Sequence, residues 1–220
     1  PCDNTKEQIK QYTDKPIFVQ PFWINQFLWY EIKNKEKLRE KINLPKDAYI
    51  VGSFQRDTEG HDLKSPKLEK GPDRLDKIIK KMNDNKKVFV ALAGPRRQYI
   101  TNKLHDLNIS YKNFEFIDFT ILNELYNCLD LYVVSSRHEG GPQSIVECAL
   151  TKTPIISTKV GIASLFLPES SLYDSVQNFE SAWTAKKNVD LVYNNAIKYT
   201  IPNGFKPFRE FFKNVITKGD

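Results

Sequence analysis

The sequence has few of the residues that build metal centres and covalent frameworks. It contains only three cysteines, Cys2, Cys128 and Cys148, and three histidines scattered along 220 residues. The cysteines have neither the spacing of a zinc site nor the pattern of a disulfide framework, which excludes a small disulfide-stapled protein. Free cysteines favour a reducing compartment, so we expect a cytoplasmic protein. Because the cysteines and histidines lack the spacing of a metal site, we also expect no bound metal.

Long apolar runs and the common nucleotide motifs are also missing. No segment is apolar for long enough to span a bilayer, and Pro1 does not open a signal peptide. No Gly-any-Gly-any-any-Gly follows a predicted strand, and no Walker loop occurs. These absences argue against an ordinary dinucleotide enzyme and against a P-loop enzyme.

The surplus of basic residues is modest. The chain carries 33 Lys and Arg against 27 Asp and Glu, a formal net charge of +6. Such a surplus suits nucleic acid, an anionic membrane or a phosphate-bearing ligand. The lysines within 33–41 and 77–81 have the pattern of solvent-exposed helix faces, and no nucleic-acid motif is present. We therefore expect no nucleic acid partner.

Strand-like and helix-like patterns alternate through the middle of the chain. Short apolar strands are predicted at 48–52, 88–93, 114–117, 131–134 and 154–157. Helices are predicted between them at 73–82, 98–107, 121–129 and 143–150, with a long polar loop at 55–71. This alternation predicts an α/β fold with a Rossmann-like, doubly wound parallel sheet.

The pattern divides the chain into three parts. Residues 1–45 form a lead-in, with an aromatic linker over 17–30 and an amphipathic helix over 31–42. Residues 46–200 form the Rossmann-like domain, which includes a long helix over 179–197. Residues 201–220 form a C-terminal helix rich in phenylalanine.

The most distinctive segment is a glycine-rich turn between a predicted strand and a predicted helix. Glu139 and Glu147 are separated by seven residues and flank Gly140-Gly141-Pro142. We expect Pro142 at the first position of the helix, where no amide hydrogen is needed. In open α/β sheets ligands bind at this carboxyl edge, and the free amides of a helix N-terminus bind anions. The turn therefore predicts a binding site for an anionic ligand.

Three further segments accompany this turn in order: Gly52-Ser53-Phe54-Gln55-Arg56-Asp57, Lys70-Gly71-Pro72-Asp73 and Glu124 to Tyr132. Over about residues 16–173 the chain resembles the family-four retaining glycosyltransferases. That resemblance implies the C-terminal, donor-binding half of a GT-B fold, in which two Rossmann-like domains face a cleft. It also implies transfer of a sugar from a nucleotide diphosphate sugar to a glycan, lipid or other acceptor, with retention. No cofactor or metal is implied, and the sequence has no Asp-any-Asp triplet of the metal-dependent class.

By that resemblance, three residues would act at the reacting bond. Glu139 would face the donor sugar near its anomeric carbon, while Arg56 and Lys70 would grip the diphosphate and stabilise the leaving group. Arg56 is the less direct assignment, because the position directly after the strand glycine, usually arginine, is Ser53 here. Taken alone, either basic residue is more simply a solvent-exposed side chain of a polar loop.

The resemblance also assigns contacts along the donor. Glu147 would accept hydrogen bonds from the two ribose hydroxyls, since a carboxylate matches a vicinal diol. The loop at Asp118 and Phe119 would hold the base chiefly through its backbone, although packing explains Phe119 equally well. Gly94 would approach the donor from a neighbouring strand. The remaining contacts would come from Gly140, Gly141, Pro142, Gln143 and Ser144.

A GT-B enzyme also needs an acceptor-binding domain, expected from an N-terminal domain or a partner chain. Peripheral membrane association would come through that full-length enzyme, and the donor half alone would bind without transferring. The aromatic linker and the phenylalanine-rich tail would pack on each other, on the missing domain or within this domain's own core. The rival hypothesis is a non-catalytic nucleotide-sugar-binding or interaction module. The sequence names neither the base, the sugar nor the acceptor.

Overall fold

The computed structural model describes residues 2–217. Its strands, numbered along the chain, are β1 Tyr49–Ser53, β2 Thr58–Glu59, β3 Ser65–Pro66, β4 Val88–Ala93, β5 Tyr111–Phe114, β6 Leu131–Val134, β7 Ile155–Thr158 and β8 Leu172–Tyr173. Its α-helices are α1 Asp3–Lys10, α2 Lys35–Lys41, α3 Pro72–Asn85, α4 Gln98–Asp106, α5 Phe119–Cys128, α6 Gln143–Thr151, α7 Ala163–Phe166, α8 Phe179–Thr184, α9 Val189–Ile197 and α10 Lys206–Thr217. Short 3₁₀ turns occur at Leu68–Lys70, Glu169–Ser171 and Asn203–Phe205.

Six of the strands form one sheet in the order β5-β4-β1-β6-β7-β8, and every neighbouring pair is parallel. Counted among themselves, these strands have the Rossmann order 3-2-1-4-5-6. The predicted doubly wound parallel sheet is therefore confirmed. The strand order reverses between β1 and β6, and the crevice at their carboxyl ends is where such sheets bind ligands.

Both faces of the sheet are covered, because successive residues of each strand enter different cores. Along β4, Val90 and Leu92 pack in the core that contains α3 and α4, whereas Ala91 and Ala93 pack in the core of α5 and α6. Strands buried on both faces are apolar at almost every position rather than at alternate ones. That composition explains why the sequence pattern located four of the five predicted strands.

The structure corrects the predicted strand over 114–117. The strand β5 lies at Tyr111–Phe114 instead, where Phe114 pairs with Ala93. Phe116 follows in a left-handed conformation with φ of 54° and is 89% exposed. The alternating sequence Phe-Glu-Phe-Ile has the pattern of a strand. The register with β4 instead places the paired segment three residues earlier.

Three helix or loop predictions also change. The predicted helix over 179–197 is two helices, α8 and α9, and Lys187 Nζ donates to the backbone carbonyls of Ala182 and Ala185 at the break. The amphipathic helix starts at Lys35 rather than at 31, because Asn34 caps it by accepting from Lys37 N. The predicted loop over 55–71 contains the small antiparallel hairpin β2–β3 and a 3₁₀ turn.

The aromatic linker and the tail pack on each other, which was one of the expected alternatives. The Trp23 ring stacks on Phe205 with centroids 4.5 Å apart, and Phe18 stacks on Phe211 at 4.9 Å. The backbone of Ile24 also pairs with residues 199 and 201. The ends of the predicted lead-in and tail, residue 1 and residues 218–220, lie outside the described residues. Within 2–217, none of the helices is both long and apolar enough to cross a bilayer.

Candidate functional site

Two loops meet at the crevice between β1 and β6, and backbone contacts hold them together. The Arg137 amide after β6 donates to Glu69 O at 2.8 Å. The Arg137 guanidinium also forms a two-pronged contact with Asp73 at the start of α3, at 2.7 and 2.6 Å. Gly71 has a φ of 65°, and a Cβ there would lie 2.0 Å from Ser135 O, so only glycine allows this approach. These contacts place Lys70 beside the glycine-rich turn.

Lys70 and Glu139, predicted from distant parts of the sequence, are in direct contact. Lys70 Nζ lies 2.6 Å from Glu139 Oε1, which also accepts from Ser136 Oγ at 2.9 Å. Gln55 Nε2 donates to Lys70 O at 2.7 Å and so fixes the backbone of the lysine. Both charged side chains remain partly exposed, at 26% and 12%. The pair is therefore ordered by its neighbours yet accessible to a ligand.

The helix α6 begins at Gln143, as predicted, but Pro142 does not occupy its first helical position. Pro142 lies at the N-cap with extended backbone, and Gln143 is the first helical residue. The difference arises because Pro142 has a ψ of 113°, which is not helical. The Ile145 amide donates to Pro142 O, whereas the amides of Gln143 and Ser144 precede the first bond of the helix. Both of these residues line a cavity together with Lys70 and Glu139.

Glu147 lies in α6 within reach of the same crevice. Its Oε2 accepts a hydrogen bond from the Tyr126 hydroxyl at 2.6 Å. Burial raises the pKa of Glu147 to about 7, and the hydrogen bond from Tyr126 opposes that rise. A carboxyl group with this pKa exchanges its proton near neutral pH, so its charge depends on small changes in its surroundings.

Two cavities meet at Glu147. The first, of about 390 Å³, contains the Lys70–Glu139 pair and is called the polar cavity here; it is lined by Phe54, Gln55, Lys70, Leu122, Tyr126, Tyr132, Glu139, Gly141, Pro142, Gln143, Ser144 and Glu147. The second, of about 350 Å³, is called the aromatic cavity; it is lined by Phe22, Trp23, Ile24, Asn25, Leu28, Trp29, Phe119, Gln143, Val146 and Glu147. Gln143 and Glu147 line both cavities, so the two cavities are neighbours along α6.

The structure thus brings together Lys70, Glu139 and Glu147 with most of the glycine-rich turn. Phe119 is 60% exposed and lines the aromatic cavity, where its ring meets Trp29 edge to face at 5.9 Å. Gly140 lines a third cavity, distinct from the polar and the aromatic cavities, beside Glu139 and α1.

Besides Gly140, three predicted site residues line neither the polar nor the aromatic cavity. Arg56 is exposed, and its Nε donates to Thr58 O at 3.2 Å. Asp118 caps α5 by accepting from Ile121 N at 2.9 Å. Gly94 ends β4 with a φ of 89°. The roles predicted for these three residues stay predictions.

The sequence analysis missed three polar residues of the site. Gln55 lies two residues past the end of β1 and Ser136 two residues past the end of β6, and the Ser136 hydroxyl lies 3.1 Å from Gln55 Oε1. Their positions just past two neighbouring strand ends were a usable signal. Tyr126 gave no such signal, because its contact with Glu147 depends on how α5 packs against α6.

No three His, Cys, Asp or Glu side chains in the described part of the chain are grouped so that they could hold a metal ion. The clustered ionisable groups of the site are a lysine and two glutamates.

Comparison with known proteins shows the family of this chain. The profile of the family described as Glycosyl transferases group 1 matches residues 63–183, just over half of the chain. TuaC of Bacillus subtilis, a putative teichuronic acid biosynthesis glycosyltransferase, is 29% identical over 155 residues, which are 69% of this chain and 34% of TuaC. The chain therefore spans about a third of the length of this curated relative.

Two solved structures show the fold relationship. The C-terminal domain of the glycosyl transferase group 1 protein LpcC from Francisella tularensis superposes with a TM-score of 0.62 and 18% identity, covering 81% of this chain and 99% of that domain. HepE from Anabaena, solved in complex with UDP and glucose, superposes with a TM-score of 0.67 and 16% identity, covering 87% of this chain and 55% of HepE. The chain belongs to the glycosyl transferases group 1 family, and its fold is that of the C-terminal domain of a GT-B glycosyltransferase.

Proposed function

We propose that this domain binds a nucleotide diphosphate sugar and supplies the donor side of a retaining, metal-independent glycosyl transfer. The observation that carries the proposal is the contact between Lys70 Nζ and Glu139 Oε1 in the polar cavity that leads to Glu147. A cation and a helix N-terminus suit a diphosphate. The two separated carboxylates suit hydroxyl groups, one those of the donor sugar and the other those of the ribose.

The order of the cavities matches the order of groups in such a donor. The diphosphate lies at Lys70 and the first amides of α6, and the ribose lies at Glu147. Because Glu147 also lines the aromatic cavity, the base continues into that cavity, beside Phe119 and Trp29. Stacking on aromatic rings suits any nucleobase, at about 1–3 kcal/mol per base. The UDP bound to HepE makes UDP sugars the first donors to test.

Lys70 is the residue that acts on the leaving group. In the transfer, the bond between the anomeric carbon and the diphosphate oxygen breaks, and its electron pair leaves with the diphosphate. The acceptor hydroxyl oxygen forms the new bond on the same face, and its proton passes to the departing diphosphate oxygen. Lys70 stabilises the negative charge that develops on the diphosphate. Preorganised charges of this kind usually make the largest single contribution to the rate enhancement. Glu139, next to Lys70, stabilises positive charge at the anomeric carbon.

Catalysis also needs an acceptor held in attack geometry. We propose that an N-terminal domain or partner chain holds it, that the acceptor is a glycan or lipid, and that the enzyme works in the cytoplasm, in peripheral contact with the membrane. The teichuronic acid biosynthesis named for TuaC is consistent with a glycan product.

The test uses two proteins: the 220-residue chain, and the same chain joined to its upstream domain. The short chain should bind a UDP, GDP or ADP sugar by calorimetry without metal, and should transfer no radiolabelled sugar. The joined protein should transfer with retention, and Glu139→Ala should lower its turnover more than its donor affinity. Donor binding without transfer by the joined protein would favour a non-catalytic binding module. Robust transfer by the short chain would refute the half-enzyme proposal.

A further inference from the structure

The Tyr126 hydroxyl is the one polar group from outside α6 that the structure places on Glu147, among the residues it describes. The donor–acceptor distance to Oε2 is 2.6 Å. Tyr126 is 1% exposed, and its ring is enclosed by Phe54, Tyr132 and Trp29, with centroid distances of 4.9, 5.5 and 5.7 Å. A ring packed on three sides cannot rotate away, so the hydroxyl position is set by the core.

Glu147 needs such a partner because α6 leaves it in apolar surroundings. Ile145 and Val146 precede it in the helix, and Val146 also lines the aromatic cavity. A carboxylate presents two oxygens with about four acceptor positions. The tyrosine occupies one position on Oε2, and no described residue donates to Oε1. The free acceptor positions suit a pair of neighbouring hydroxyls.

We propose that Tyr126 is a positioning residue for donor binding: its hydroxyl holds Oε2 of Glu147 and keeps the carboxylate ionised and oriented for the ribose. This inference rests on the proposed function. Tyr126 does not touch the reacting bond, so it acts through Glu147 alone.

The charge of Glu147 is the property that Tyr126 controls. Burial raises the pKa of Glu147, and the Tyr126 hydrogen bond is the contact that opposes the rise. Tyr132 from β6 and Cys148 from α6 lie near enough for their own pKa values to be raised by Glu147. Lys70 and Glu139 line the same cavity but make their ion pair with each other. Removing the tyrosine hydroxyl should therefore favour the protonated form of Glu147.

Tyr126→Phe is the direct test, because it removes only the hydroxyl. Tyr173→Phe is the matched control: Tyr173 is 2% exposed, and its hydroxyl donates to Val134 O at 2.7 Å, away from Glu147. Each variant loses one buried hydrogen bond, so a merely structural loss should affect both alike.

The first readout needs no ligand. In protein labelled with ¹³C at glutamate side chains, the Glu147 carboxyl signal, assigned with Glu147→Gln, should titrate near pH 7 in the parent. In Tyr126→Phe it should move upward by about one pH unit, the equivalent of one charge-assisted hydrogen bond. Tyr173→Phe should leave it in place. An unchanged Glu147 titration in Tyr126→Phe overturns the proposal.

The second readout is calorimetric affinity for UDP-glucose, GDP-mannose and ADP-glucose. With the probe that the parent binds best, Tyr126→Phe should bind about fivefold more weakly at pH 7, and the deficit should shrink as pH rises to 9 and Glu147 ionises in both proteins. An equal deficit for Tyr173→Phe would overturn the positioning role. If the parent binds none of the three probes while the carboxyl titration still moves, the proposed function fails and takes the ribose role of Tyr126 with it.

Discussion

Two ion pairs secure the loop between β1 and α3, and they differ in what surrounds them. Arg97 Nε lies 2.9 Å from Asp57 Oδ2, and both side chains are about 1% exposed. Lys70 and Glu139 are 2.6 Å apart, but they open onto the polar cavity at 26% and 12% exposure. The same loop therefore carries one pair sealed in the protein and one that a ligand can reach.

The sealed pair is structural because the protein encloses both groups and no ligand can reach them. Arg97 Nη2 donates to Ser53 O at 2.8 Å, and Asp57 accepts from the Thr58 hydroxyl at 2.7 Å. Burial raises the pKa of Asp57 and lowers that of Arg97, and their mutual attraction opposes both changes. We propose that the open pair exchanges partners instead, with a donor phosphate replacing Glu139 on Lys70. Accessibility, more than distance, separates the pair that we propose to be functional from the structural one.

The largest effect should come from breaking the sealed pair. Arg97→Ala leaves the Asp57 charge buried without its partner, so the free energy of unfolding should fall by about 3–5 kcal/mol. Urea denaturation followed by circular dichroism measures this. Arg96→Ala is the control, since Arg96 makes one exposed bond to Gly60 O and should cost less than about 1 kcal/mol. Equal losses for the two variants would contradict the comparison.

Breaking the open pair should affect binding instead of folding. Lys70→Ala should weaken UDP binding about 10- to 100-fold, because a charge-assisted contact to the diphosphate is lost. Uridine, which has no phosphate, should bind as before. Calorimetry measures both affinities, and urea denaturation should show a change below about 1 kcal/mol.

The control for that prediction lies three residues away. Lys67 pairs with Glu69 at 3.1 Å and does not line the polar cavity, so Lys67→Ala should keep parental UDP affinity. A parental affinity in Lys70→Ala, or an equal loss in Lys67→Ala, would remove Lys70 from the site.

The second carboxylate adds a pH dependence that sharpens the comparison. Glu147 has a pKa raised to about 7, so it is largely protonated at pH 6 and largely ionised at pH 8. If the ribose requires the carboxylate, affinity should rise about tenfold from pH 6 to pH 8. UDP-glucose is the suitable probe, because UDP has a terminal phosphate that titrates near pH 6 itself.

The Glu147→Gln variant should bind UDP-glucose more weakly than the parent protein. Calorimetry should show no rise in its affinity from pH 6 to pH 8. Because the pKa of Glu147 is higher folded than unfolded, this group binds its proton more tightly in the folded protein. Its contribution to stability is therefore present below about pH 4.5 and lost as pH rises to about 7. Persistence of the pH-dependent affinity in Glu147→Gln would assign it to another group.

The smallest effect should come from Arg56. Its side chain is exposed and bonded to Thr58 O, outside both cavities, so Arg56→Ala should change UDP affinity by less than about twofold. A larger loss in calorimetry would mean that the loop rearranges to bring Arg56 to the diphosphate.

The sequence by itself determined where the buried strands lie and which edge of the sheet carries the glycine-rich turn. Buried strands such as Leu131–Val134 are readable because a sheet covered on both faces needs apolar residues throughout. The glutamates flanking Gly140-Gly141-Pro142 marked the carboxyl edge of the sheet, because parallel strands end together at one side. Local composition and spacing carry both signals, so no knowledge of distant contacts was needed.

The tertiary structure decided which residues that are distant in the sequence come into contact, and which side chains remain exposed. Gly71 packing on Ser135 O brings Lys70 to Glu139 across 69 positions of the chain, while the neighbouring Arg56 stays in solvent. The contact between Tyr126 and Glu147 depends on the packing of α5 on α6, which no spacing within either helix reveals. Exposure also had to be seen in three dimensions, because it depends on which neighbours exclude water. That is why the sequence proposed a basic pair, Arg56 and Lys70, whereas the folded chain placed only Lys70 at the cavity.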